Sequence, residues 1–293
     1  MIRHYFTVDV EEHFQVLALA PYVPRERWDS LESRVARNVE RLLELLGRHG
    51  ATGTFFVLGC VAERQSAMVK AIAAGGHEVA SHGYDHRRVT ELTPSEFREQ
   101  VRRTKQIVED LTGQPCVGFR APNYSIIPGT EWALDILLEE GYRYDSSLFP
   151  VRRPGYGYAG GARDPHWIER PGGRLFEVPP ATLRWLGVNL PAAGGAYFRL
   201  LPYALVRAAL RDAERRGVPG TFYLHPWEYD ADQPRFAVPF LTRVRHYGGL
   251  GRTWQRLERL LREFPFTAIA EDPALRVASA RLPSSDRREA VST

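Results

Sequence analysis

Short runs of apolar and β-branched residues alternate along the chain with longer segments in which apolar residues recur every three or four positions. Residues 4–10 (HYFTVDV), 52–58 (TGTFFVL), 77–82 (HEVASH), 116–122 (CVGFRAP), 142–147 (YRYDSS), 219–225 (PGTFYLH) and 266–270 (FTAIA) read as strands. Residues 33–50, 67–76, 94–112, 130–141, 202–217 and 252–264 carry the helical period. Gly50 is a C-cap signal for the first helix. Thr93-Pro94-Ser95-Glu96 opens the third helix, with Thr93 as N-cap and Glu96 at the capping-box position, and Gly113 closes it. Strand following helix in this order predicts an α/β fold with a parallel sheet, a distorted (β/α) barrel.

The rhythm breaks after Phe149. Residues 150–200 are rich in Gly, Pro and aromatics, and predict an insertion of loops and short strands. The expected organisation is one catalytic domain over residues 1–280, with that insertion and a flexible polar tail over 281–293. No internal repeat interrupts it.

Composition narrows the function classes. The chain has 293 residues, 44% of them hydrophobic and 25% charged, which is ordinary for a globular protein. Cys60 and Cys116, the two cysteines, sit in apolar contexts, so neither a disulfide scaffold nor a multi-cysteine zinc cluster is expected. The formal charge is +4, and of 39 basic residues only Lys70 and Lys105 are lysines. The arginines alternate with acids on helical segments, a solvated face that predicts no nucleic-acid partner. No apolar stretch is long enough for a transmembrane helix, and acids occupy the place of a signal-peptide core, so a cytoplasmic location is expected.

The candidate chemistry gathers where predicted strands run out. Asp9 and Glu11 end the first strand, and His82, Arg120, Asp145 and His225 end four others. In a parallel barrel these ends converge on one face, where active sites form. His82 and His86 form an H-x-x-x-H pair. If residues 82–86 make a helical turn, both imidazoles reach one metal, and a carboxylate from the first strand is a third ligand. Two His and one carboxylate suit Zn²⁺ or another first-row divalent ion.

In this arrangement the chain resembles the polysaccharide deacetylases of the NodB-homology type, carbohydrate esterase family four. The resemblance rests on five motifs in order. They are Thr7-Val8-Asp9-Val10-Glu11-Glu12, His82-Gly83-Tyr84-Asp85-His86, Arg120-Ala121-Pro122, Asp145-Ser146-Ser147 and Leu224-His225. The first departs from the family's adjacent aspartates, and Gly83 stands where a hydroxyl residue is usual. The segments FTVDVEEHFQV, FRAPNYS, YDSSLFP, LHPWEYD and RHYGGLGRTWQRLERLLREFPF are similar to the subgroup associated with exopolysaccharide loci and the exosortase/PEP-CTERM system.

The resemblance implies a NodB-type barrel and a metal-dependent hydrolase. Its reaction would remove N-acetyl groups from amino sugars of a bacterial polysaccharide or its precursor, an N-acetylated saccharide being the partner. Glu11, His82 and His86 would hold the divalent metal: Zn²⁺, with Co²⁺ or Ni²⁺ as alternatives. Strand alternation puts Asp9 and Glu11 on one face and favours Glu11 over Glu12 as third ligand, Glu12 being read as a surface carboxylate. Asp9 would be the general base, oriented by Arg120, and His225 the general acid, held by Asp145. The Asn123 N–H would be an oxyanion donor. Tyr124, Trp227 and the aromatic-rich 156–167 stretch read either as a sugar-stacking wall or as ordinary core. His13 is placed beside the cleft, His77 is read as structural and His166 as a loop residue. Two readings compete: a metal-independent hydrolase of a small cyclic amide or imide on the same fold, and a catalytically silent carbohydrate-binding module.

Overall fold

The computed structural model describes residues 2–153 and 155–280. The expected tail over 281–293 lies outside the described residues.

Among the described residues eleven strands form the framework: β1 (His4–Val10), β2 (Thr54–Val57), β3 (Glu78–Ser81), β4 (Gly118–Phe119), β5 (Tyr144–Asp145), β6 (His166–Arg170), β7 (Gly173–Glu177), β8 (Thr182–Trp185), β9 (Val188–Pro191), β10 (Thr221–Leu224) and β11 (Phe266–Thr267). The main sheet runs β10-β1-β2-β3-β4-β5-β7-β6, and β11 pairs with β1 beside this path. Every pair in it is parallel except β6 with β7. The strands do not close into a hydrogen-bonded barrel. Among the described residues, β10 meets the segments that follow β7 and β9 through single bridges, Pro180 to Thr221 and Gly194 to Tyr223.

All seven residues of β1 are buried, as a central parallel strand covered on both faces requires. Its polar members have partners: the Thr7 hydroxyl donates to the Phe222 carbonyl at 2.8 Å and accepts from Arg120 at 2.8 Å. Gly118 is demanded by a close approach, since a Cβ there would meet the Tyr144 ring at 2.0 Å. The helix Val35–Arg48 buries Val35, Val39, Leu42, Leu45 and Leu46, one apolar stripe against the sheet. The helix Pro94–Thr112 begins with the expected reciprocal capping box between Thr93 and Glu96, and ends on left-handed Gly113.

The 150–200 segment holds β6, β7, the β8–β9 hairpin and the helix Gly195–Leu200. Its β7 joins the main sheet beside β5, pairing Asp145 with Glu177. No helix among the described residues is long and apolar enough to cross a membrane.

Candidate metal and acid–base site

The site lies at the C-terminal end of the sheet. Right after β1 the chain tightens, and the Glu11 N–H donates back to the Asp9 carbonyl at 3.1 Å. Asp9 and Glu11 are both buried there. Asp9 Oδ1 takes a hydrogen bond from Arg120 Nη1 at 2.6 Å. The Arg120 guanidinium is fully buried, lies over the Phe56 ring at 4.2 Å, and donates from Nε and Nη2 to the Ser146 carbonyl and hydroxyl. With all three of its nitrogens engaged it is a fixed post that orients Asp9.

Residues 82–86 do not make the expected helical turn. They form an irregular loop with Gly83 at φ +75° and His86 at φ +64°. The two rings meet through that left-handed path, with centroids 5.6 Å apart. His82 Nδ1 donates to the Arg120 carbonyl at 2.8 Å. A carbonyl only accepts, so the proton sits on Nδ1 and Nε2 keeps its lone pair. Burial holds the His82 pKa down at about 4, which keeps the ring neutral. His86 Nε2 lies 2.6 Å from Glu11 Oε2. Burial opposes the Glu11 charge, but His86 and His225 outweigh it and bring the carboxyl down to about 2.

Ligand atoms of Glu11, His82 and His86 lie within 4.8 Å of one another, all three residues buried. An ionised carboxylate and a neutral imidazole with a free, aimed nitrogen suit a divalent cation. Glu11 is further pinned by the Trp227 indole N–H, which donates to Oε1 at 3.0 Å. Glu12 is not the surface carboxylate the alternation suggests. It is buried, accepts the Arg34 N–H at 3.0 Å and the Ser33 hydroxyl, and so anchors the start of the helix Val35–Arg48.

His225 follows β10. Its Nε2 stands 3.8 Å from both Asp9 Oδ2 and Glu11 Oε1, with a side chain 19% exposed. Its partner is not Asp145. Nδ1 pairs with Glu228 Oε2 at 3.0 Å, and the same oxygen accepts the His225 backbone N–H at 3.1 Å. Arg199, buried, holds the other Glu228 oxygen at 2.7 Å. Burial works against a charged His225, but Glu11 and Glu228 outweigh it and raise the pKa to about 9.

Asp145 is instead held by the Ser147 N–H and hydroxyl, facing Glu177 across the β5–β7 ladder. Burial raises both carboxyls, Glu177 well above its usual range. Reach explains the difference: Glu228, three residues past His225, folds back in a turn, whereas Asp145 is occupied at its own strand end.

Asn123 and Tyr124 both have positive φ, 55° and 52°, and the Tyr124 N–H is spent on the Ala121 carbonyl at 3.0 Å. Neither Tyr124 nor Trp227 is a sugar-facing wall. Tyr124 is buried against Phe149 and Tyr223, and Trp227 is sandwiched between His225 and His246. His13 is buried against Phe14 and Phe236, and His77 accepts the Gly53 N–H at 3.1 Å. His166 lies in β6 rather than in a loop.

Sequence reasoning missed Glu228, Arg199, His246 and Glu177. Glu228 had a readable signal, a carboxylate three residues after His225 with Pro226 at the first position of the turn. Arg199, one of many arginines, had none.

Residues 28–144 match the family described as Polysaccharide deacetylase, and residues 146–272 match a domain of unknown function, DUF3473. The "Peptidoglycan deacetylase-like protein FGM2" of Gibberella zeae is 38% identical over 112 residues, covering 38% of this chain and 32% of that protein. Other matched relatives are named as peptidoglycan and chitooligosaccharide deacetylases. The matched part spans about a third of the length of the first curated relatives. Among solved structures, a putative polysaccharide deacetylase from Mycobacterium smegmatis superposes with a TM-score of 0.65 at 20% identity, over 99% of this chain and 95% of that one. The Puue allantoinase superposes with a TM-score of 0.61 at 18% identity, over 96% and 91%. Both show the same fold. Residues 28–144 thus match a polysaccharide deacetylase domain of the NodB-homology type, and over about that part the chain is similar to peptidoglycan deacetylases. His82, His86 and Arg120 fall in that domain, while Arg199, His225, Trp227, Glu228 and His246 fall in the second match.

Proposed function

We propose that the protein is a metal-dependent deacetylase that hydrolyses the N-acetyl group of an amino sugar in a polysaccharide or its precursor. The observation that carries this is the buried Glu11, His82 and His86 cluster, with Asp9 and His225 beside it. A divalent cation held by those three side chains, Zn²⁺ with Co²⁺ or Ni²⁺ as alternatives, supplies a Lewis acid and an acidified water.

The chain's own residues do the rest. Asp9, fixed by Arg120, takes a proton from the attacking water. His225, positioned by Glu228 at Nδ1, gives a proton to the departing amine nitrogen. The turn at Asn123 offers its backbone N–H to the carbonyl oxygen as that oxygen gains charge. The products are acetate and a free amine. The similarity of FTVDVEEHFQV and LHPWEYD to the exopolysaccharide-associated subgroup makes an exopolysaccharide the first polymer to try.

The test is acetate release from N-acetylated oligosaccharides, before and after chelation and with each metal restored. Release that chelation abolishes and a divalent ion restores supports the reading. Undiminished hydrolysis in metal-free protein overturns it and favours a metal-free amide hydrolase.

A further inference from the structure

The helix Phe240–Tyr247 follows β10 and the His225 turn, and packs against the turn Leu17–Leu19 that follows β1. It therefore stands on the end of the sheet that carries the site. Its inner face bears His246, stacked on Trp227 at 4.5 Å, and Trp227 in turn donates to Glu11. Its outer face is apolar. Phe240, Leu241 and Val244 are 66%, 79% and 43% exposed.

At about 100° per residue, Phe240, Val244 and Leu241 fall side by side on one arc, roughly 100° wide. Arg243 and Arg245 fall on either flank of it, both exposed, and the Arg243 guanidinium lies over the Phe240 ring at 5.6 Å. The charge around the helix has one sign. From Gln233 to Leu257 the chain carries Arg235, Arg243, Arg245, Arg252 and Arg256 and no Asp or Glu. Among the described residues none of these five makes an ion pair: Arg256 donates to the carbonyls of Phe198, Arg199 and Leu201, and Arg235 lies over the Tyr247 ring at 5.5 Å. Along the helix Pro94–Thr112, by contrast, Arg98, Arg102 and Arg103 are each held in an ion pair with a glutamate.

An exposed apolar stripe that buries nothing in its own fold costs solubility. One bordered by unpaired arginines has the pattern of an interfacial helix: apolar side chains enter the acyl boundary while guanidinium groups meet anionic headgroups. We propose that the helix Phe240–Tyr247 docks the protein on an anionic lipid surface, with the metal site's mouth beside that surface. The contact is peripheral, since the helix is only 8 residues long. A single helix this short, without a second anchor, binds reversibly.

Vesicle flotation tests this without any substrate, so its outcome is separate from that of the deacetylation reading. The probes are vesicles of phosphatidylcholine alone, and of phosphatidylcholine with a third phosphatidylglycerol, at low and high salt. The wild type floats with the anionic vesicles at low salt and is released by high salt. The double variant Phe240→Ser/Leu241→Ser weakens partitioning at least about tenfold. Arg243→Gln and Arg245→Gln each weaken it about fivefold. Both arginine side chains are exposed, so these variants keep the test valid if the serine variant folds poorly. Absence of wild-type binding to either vesicle, or equal binding by all variants, overturns the proposal. So does a sedimentation experiment without lipid in which Phe240→Ser/Leu241→Ser dissolves a dimer, because the stripe is then covered by a second copy of the chain.

Discussion

At the scale of single residues, Glu228 sets what His225 is able to do. One carboxylate oxygen receives both the His225 backbone N–H and Nδ1, so ring and chain are positioned by a single atom. Arg199 supplies the opposing charge from a fully buried place. Glu228→Gln keeps a hydrogen-bond acceptor and removes the charge that favours the imidazolium. We expect hydrolysis of sugar amides to fall about 10–100-fold, while activated acetate esters, whose leaving groups need no proton, are largely spared. Stability also falls, by about 3 kcal/mol, because Arg199 is left without its counter-charge. Steady-state kinetics on both substrate types read the difference, and equal losses would remove His225 from the role of acid.

His246 gives a second prediction at this scale. Burial, with Arg199 nearby, lowers its pKa to about 3 from an ordinary 6.5. Between these values the unfolded chain binds the proton and the folded one does not, so stability is lost as pH falls through that window. The slope reaches about 1.4 kcal/mol per pH unit for one such proton. His246→Phe keeps a ring on Trp227 without the titrating group. Denaturant melts from pH 7 to pH 4 should show a shallower acid decline in the variant than in the wild type.

Elements explain what single residues do not. Glu12 belongs to helix anchoring, because its carboxylate satisfies the Arg34 N–H at the start of the helix Val35–Arg48. Glu12→Ala should cost about 1–2 kcal/mol in chemical denaturation and leave metal content unchanged. The β5–β7 seam carries Asp145 opposite Glu177, two buried carboxyls with no cation between them. Burial raises the Glu177 pKa well above its usual value, so the folded state holds a proton that the unfolded state releases. Stability from this seam is present below the ordinary pKa and lost as pH rises through the folded one. Glu177→Gln keeps the hydrogen bonding without the titration, and should lose less stability than the wild type as pH rises above the ordinary carboxylate range.

Elements with strong local causes were legible. β1 is an unbroken buried run, and the helix Pro94–Thr112 has its cap, its stripe and its closing glycine in adjacent residues. The 82–86 loop was not, because H-x-x-x-H spacing is the same in a helical turn and in a loop with two positive φ values. Glu12 was misread for a related reason. Strand alternation ceases at Val10, and the direction of the next side chains depends on a turn closed between Asp9 and Glu11.

At the scale of the molecule, parallel topology makes a site out of distant residues, and that much was readable. Five of the seven expected strands end in titratable groups, and a parallel sheet brings such ends together. The pairing of Asp9 with Arg120, 111 residues apart, was expected from the motif resemblance and is present; the pairing of Glu228 with Arg199, 29 residues apart, was not read, because Arg199 ends no strand and carries no motif. The same topology predicts how the whole fold responds to metal. Glu11, His82 and His86 come from the ends of β1 and β3, and both strands are part of the central sheet. A cation there ties these segments together in the folded state only. At a thousandfold excess over its dissociation constant it adds about 4 kcal/mol. For a chain of this size that is a rise of about 6–7 °C in the thermal midpoint. Scanning calorimetry of chelated protein, then with Zn²⁺, Co²⁺ or Ni²⁺ added, should show that rise. Glu11→Gln should abolish it, since two imidazoles hold a divalent ion poorly. Glu12→Gln should start from a lower midpoint and rise by the same amount as the wild type. A wild-type midpoint that no divalent ion moves would mean the three side chains form a buried polar cluster and not a metal centre.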